Sequence, residues 1–165
     1  MEVQSYRAEE LFDWVTQEGH DFTLLDVRNN EEFGRFKVEG PHLSKMINIP
    51  YIEFIEEEEA SVDRVQVPKE ESIRIVCAKE GSAKYVGEIL LNNGWKDVKI
   101  LEQGIKSWGN MLTPKLVASQ NGYALYQFIR PGKASCSYGL IYEDEMVVFD
   151  PSRNAQFYQD FANEH

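Results

Sequence analysis

Apolar residues recur at helical spacing at Ala8, Leu11, Phe12 and Val15, which predicts an amphipathic helix opening after a Ser5 cap and stopping at Gly19. The run Phe22 to Val27 (FTLLDV) predicts a short strand, followed by the polar turn Arg28-Asn29-Asn30 and a short helix from Glu31 to Phe36. A second brief strand is expected at Met46 to Ile49, ended by Pro50, and one helix from Tyr51 to Ala60. The segment Ile73 to Cys77 (IRIVC) predicts a third strand. Ala83, Val86, Ile89 and Leu90 then repeat at helical spacing as far as Asn92-Asn93-Gly94. Val98 to Leu101 and Gly104 to Met111 add one more strand and one more helix. Strands alternating with helices indicate right-handed crossovers and a parallel sheet covered on both faces.

The pattern changes after Thr113-Pro114. Tyr123 to Ile129, Tyr138 to Tyr142 and Met146 to Phe149 are strands with short polar connections, which favours antiparallel pairing. The expected architecture is α/β: a parallel-sheet domain over residues 1–112 and an antiparallel extension with one helix over residues 113–165.

Composition narrows the function classes. With 42% hydrophobic and 27% charged residues the chain suits a folded globular protein rather than a disordered one. The formal charge of -11 opposes phosphate backbones and anionic bilayers, so neither nucleic acid nor membrane is an expected partner. Residues 113–165 hold four basic and six acidic side chains, so most of the acidity belongs to the first domain. Glu56 to Glu59 reads as a solvated face. There is no apolar run near the length of a membrane span, Met1 to Ser5 lacks signal-peptide character, and there are two cysteines; together these predict a reducing, cytoplasmic setting.

The local chemistry concentrates at Cys77, the last position of an apolar strand and the point where open α/β sheets gather reactive groups. A loop Ala78-Lys79-Glu80-Gly81-Ser82 folded back toward the next helix aims backbone N–H groups and the helix N-terminus at the sulfur, which favours thiolate over thiol. Lys79 and Lys84 add positive charge, and Gly81 is expected to take positive φ in such a loop. From spacing alone, a small buried structural cysteine is an equal alternative.

Four segments, LLDVRNNEEF, NIP, IRIVCAKEGSAKYVGEIL and LEQGIKSW, resemble in order and spacing a single rhodanese domain spanning about residues 3–112. The resemblance implies a sulfurtransferase without metal or organic cofactor. Cys77 would be the nucleophile that becomes a persulfide, the N–H groups of Ala78 to Ser82 would hold the anionic outer sulfur, and Asp26 with Arg28 would be a supporting ion pair. A small sulfur donor, thiosulfate or a low-molecular-weight or protein persulfide, and a thiol acceptor are the implied partners. The loop lacks the arginines of many thiosulfate-using members and carries Glu80, which points to a persulfide donor and narrow activity. A catalytically weak carrier or docking module is the rival reading. The related phosphatases need a longer loop and an arginine six positions after the cysteine, where this chain has Ala83.

The family's Gly-His pair appears as Gly40-Pro41-His42, with His42 read as a loop or packing residue, and Trp95 and Trp108 as packing. Residues from Tyr126 onward, with Phe149-Asp150-Pro151-Ser152, resemble the opening strands and helix of a metallo-β-lactamase-fold domain of the kind found in persulfide dioxygenases. The chain has three histidines, His20, His42 and His165, at no metal-ligand spacing, so no metal site is expected. Ending just after a helix, it reads as a truncated product. An uncovered sheet face predicts dimerisation through residues 120–150, and Cys136 is expected to be a buried core thiol.

Overall fold

The computed structural model describes residues 2–165. It comprises two compact units, Met1–Trp108 and Gly109–His165. The first contains β1 (Gln4–Tyr6), α1 (Ala8–Thr16), β2 (Thr23–Asp26), α2 (Asn30–Arg35), β3 (Met46–Asn48), α3 (Tyr51–Glu56), α4 (Glu58–Val65), β4 (Ser72–Val76), α5 (Glu80–Asn92) and β5 (Asp97–Leu101); α6 (Ile105–Asn110) begins in the first unit and its last two residues, Gly109 and Asn110, belong to the second. Its five strands are all parallel, in the order β1-β5-β4-β2-β3. Every residue of β2, and Ile73 to Val76 of β4, is buried, as expected for strands covered on both faces. Leu25, Ile73, Ile75, Val86 and Leu90 form the centre of the core.

Two local expectations are corrected. Ser5 does not cap α1: it lies in β1, where its hydroxyl donates to Glu102 at 2.8 Å, and Arg7 stands at the cap. Too few apolar residues precede Ala8 for that three-residue edge strand to show in a periodicity count. The acidic helix is two helices, because Glu57 leaves helical geometry at φ -141°. Glu56 to Glu59 are all exposed.

Arg74, nearly buried on β4, is held by Asp97 at 2.8 Å with Ser72 on the same carboxylate. The hydrogen bond from Arg74 keeps the Asp97 carboxyl below its ordinary range, against the opposing cost of desolvation.

The second unit is an antiparallel meander of β6 (Thr113–Gln120), β7 (Tyr123–Arg130), β8 (Ser135–Tyr142) and β9 (Glu145–Phe149), closed by α7 (Ala155–Glu164). β6 was not anticipated from the pattern. Pro114 sits within it, which an edge strand tolerates because one side needs no donors. One sheet face packs on α7 through Phe128, Tyr158 and Phe161. On the other face Tyr123, Tyr138, Tyr142, Val147 and Phe149 are all at least 37% exposed. Cys136 is exposed, contrary to expectation. The two-residue alternation of β8 turns Ser137 and Gly139 inward and leaves Cys136 and Tyr138 outward.

Candidate active site

Cys77 follows β4 directly, at the carboxyl end of the central strand of the parallel sheet, so the fold puts it where open α/β sheets place their chemistry. It is 4% exposed and packs in the core cluster with its neighbours. Among the described residues no hydrogen bond reaches its sulfur. The N–H groups of Glu80, Gly81 and Ser82, in the first turn of α5, have no intrahelical acceptor by helix geometry. Lys79 at the cap supplies no side-chain bond to them. These donors stand three to five residues beyond the thiol, in a turn that also carries the positive end of the helix dipole. A sulfur atom added to Cys77 would extend the anionic end beyond the present thiol, where such donors stabilise charge.

Gly81 is corrected in one respect. It lies inside α5, is absent from the positive-φ residues, and a side chain there would meet open space. The positive-φ pair belongs to the facing loop after β5, at Gln103 (φ 58°) and Gly104 (φ 63°). A Cβ on Gly104 would lie 2.5 Å from the Cys77 carbonyl oxygen and 2.7 Å from that of Ala78. The same Cys77 carbonyl accepts from the Ile105 N–H at 2.8 Å. The β5–α6 loop thus clamps the backbone of Cys77 and Ala78, and only glycine fits the clamp. Gly104→Ala is expected to cost about 2–3 kcal/mol and to displace residues 77–78. Chemical denaturation of the variant measures the first effect, and a change in the Cys77 alkylation rate measures the second.

Glu80 also belongs to this junction: its carboxylate accepts the Gln103 N–H. The charge that the sequence set against the thiolate is engaged by a backbone donor and ties the two loops together. Sequence reasoning missed this because the partners are 23 residues apart and the acceptor's target is a backbone amide. Lys79 and Lys84 are exposed.

Asp26 and Arg28 form a buried pair at 1% and 4% exposure. Arg28 Nη2 lies 2.6 Å from Asp26 Oδ2 and Nε 3.0 Å from Oδ1, a bidentate fork. Nη2 also donates to the Phe36 carbonyl at 2.6 Å, anchoring the end of α2. Asn48 bridges the carbonyls of Asp26 and Arg28 at 2.9 Å each, and the Val27 N–H extends the pairing to the Val76 carbonyl, one residue before Cys77. The pair braces the carboxyl ends of β2, β3 and β4 beneath the site. His42 is exposed in a turn, with its N–H on the Val15 carbonyl, and Gly40 lies so close to Val15 that a Cβ would approach to 2.5 Å. Trp95 and Trp108 are buried.

No group of three or more His, Cys, Asp or Glu among the described residues is arranged to hold a metal ion. No helix among them is long and apolar enough to cross a membrane.

Comparison with known proteins adds to this geometry. The family model of the rhodanese-like domain matches residues 8–111. The adenylyltransferase and sulfurtransferase UBA4 of Meyerozyma guilliermondii is 28% identical over 98 residues, which is 58% of this chain and 22% of that protein. This chain therefore spans about a fifth of its curated relative. Among solved structures, a rhodanese-like domain protein from Staphylococcus aureus aligns at 26% identity with a TM-score of 0.51, over 65% of this chain and 92% of that one. The Alr3790 protein from Anabaena aligns at 21% identity with a TM-score of 0.52, over 62% and 74%, and shares the fold.

Proposed function

Because the chain belongs to the rhodanese-like domain family, we propose that it is a sulfurtransferase that carries sulfane sulfur on Cys77. The thiolate attacks the outer sulfur of a donor persulfide, the donor S–S bond breaks, and the donor leaves as a thiolate while Cys77 becomes a persulfide. An acceptor thiolate then attacks that outer sulfur, taking it as a new persulfide and returning Cys77 as thiolate. No electrons are gained or lost overall. The observation that carries this reading is the position of Cys77 at the end of central strand β4, before the uncapped first turn of α5.

A persulfide donor, low-molecular-weight or on a protein, suits the loop better than thiosulfate. Its one cation before the helix is Lys79, and it has no arginine fork for a sulfonate. Parallel loading assays with glutathione persulfide and with thiosulfate test this; faster loading by thiosulfate would contradict it. The burial of Cys77 favours a second reading, a slow sulfur carrier or docking module, because a thiol that is 4% exposed admits a donor only after the loop yields. Such a module would load with sulfur but turn over slowly.

A cytoplasmic setting fits a reduced Cys77. The second unit is read as the opening strands and helix of a metallo-β-lactamase-like fold, on the strength of its meander, its following helix and Asp150-Pro151-Ser152 at the exit of β9.

Its outward sheet face is read as a site for a second copy of this chain. On β7, β8 and β9 that face is apolar or neutral apart from Glu145, so two chains of charge -11 meet there with little repulsion. Light scattering is expected to give a dimer, and Val147→Glu, which sets like charges against each other, a monomer. A monodisperse monomer for the wild type would contradict this.

A further inference from the structure

The second unit holds a cavity of about 390 Å³ beside the connection from β9 to α7. We propose that it binds a small tetrahedral dianion of the sulfate, phosphate or thiosulfate class. Three of the four basic residues in positions 113–165 line it: Arg130, Lys133 and Arg153. In a segment with more acidic than basic side chains, that gathering is the opposite of what an even surface distribution gives.

Arg130 is held in place by backbone and amide acceptors. Its Nε donates to the Gly109 carbonyl at 2.8 Å and its Nη2 to Asn110 Oδ1 at 3.1 Å. This orients the guanidinium without neutralising it, and leaves Nη1 donors for a ligand. Arg153 makes no hydrogen bond or ion pair among the described residues. A second hollow of about 310 Å³ adjoins, lined by the same two arginines with Asn110 and Asn154, so both open on one pair of guanidinium groups.

An independent observation comes from Ser152, which lines the larger cavity and whose Oγ is buried without a hydrogen-bond partner. A buried hydroxyl left unsatisfied is costly, and an oxyanion in the cavity supplies the missing acceptor. The backbone N–H of Ser152 is already given to the Tyr158 hydroxyl at 2.9 Å, and that hydroxyl shares a 2.7 Å bond with Ser137, so the wall behind Ser152 is fixed. Asp150 is the one carboxylate in the lining and shares that cavity with the guanidinium groups of Arg130 and Arg153. It offers an acceptor to a ligand that carries a proton, as hydrogen phosphate does and sulfate does not. This inference stands apart from the sulfurtransferase reading, because none of its residues belongs to the first unit.

The test is an amide NMR titration of the full chain with sodium sulfate, sodium phosphate and sodium thiosulfate, each against sodium chloride at matched ionic strength. Saturable shifts confined to residues near 110, 130–137 and 150–154 are expected. Arg153→Gln, at an exposed position whose side chain makes no hydrogen bond or ion pair among the described residues, is expected to raise the dissociation constant at least tenfold; Arg130→Gln gives a second reading. Tightest binding of phosphate assigns Asp150 a partner, and tightest binding of thiosulfate links the cavity to sulfur chemistry. Either supports the site. Unsaturating shifts that chloride reproduces, or equal affinity in Arg153→Gln, would overturn it.

Discussion

Replacement of Cys77 by serine is expected to lower sulfur transfer from a persulfide donor to a thiol acceptor by on the order of a thousandfold or more, since the reaction's covalent intermediate cannot form on a hydroxyl. The position is buried, so the new hydroxyl also costs about 1–2 kcal/mol of stability. Cys77→Ala separates the two effects: it loses the same activity without burying a polar group. Rates of persulfide formation on the acceptor, normalised to the folded fraction at each temperature, measure the first effect. A variant that retains a tenth or more of the wild-type rate would remove Cys77 from the chemistry.

Arg28→Met is expected to destabilise the first unit by about 3–5 kcal/mol, because it leaves the Asp26 carboxylate buried at 1% exposure without its counter-charge. The loss exceeds that of an exposed ion pair such as Arg35 with Glu31, where solvent screens both charges. The double variant Asp26→Leu with Arg28→Met is expected to recover a substantial part of the stability, since neither charge is then stranded. The Phe36 carbonyl still loses its Arg28 donor, so recovery stays incomplete. Urea denaturation of the three proteins measures this. Equal stability of Arg28→Met and wild type would show that the pair braces nothing.

The two sheets differ in how openly the sequence announced them. β2 and β4 are continuous apolar runs bounded by polar turns, and a parallel sheet covered on both faces produces that signal directly. β1 has three residues and one buried side chain, so it becomes a strand only through its pairing with β5, a partner more than ninety positions away. β6 is mostly exposed and includes Pro114, so neither burial nor propensity marks it. At the site, Cys77 and the Asp26/Arg28 pair were legible because a strand end and its turn are local features. The clamp was not. Gly104 against the Cys77 carbonyl and Glu80 on the Gln103 amide are contacts between two loops that only the parallel alignment of β4 with β5 brings together. Gly81 misled for the related reason that a glycine near a cysteine suggests a tight anion loop, whereas the helix begins one residue earlier. Cys136 misled because a strand residue's face depends on register, which the sequence of β8 alone leaves open.

The central claim, that Cys77 is the sulfur carrier, is tested most directly by intact-protein mass spectrometry after incubation with glutathione persulfide and again after cyanide. The wild type should gain the mass of one sulfur atom, cyanide should remove it as thiocyanate, and Cys77→Ser should show neither change while Cys136 remains available in both proteins. Sulfur carried equally by the Cys77→Ser protein, or no loading of a wild type whose Cys77 is labelled by iodoacetamide, would contradict it.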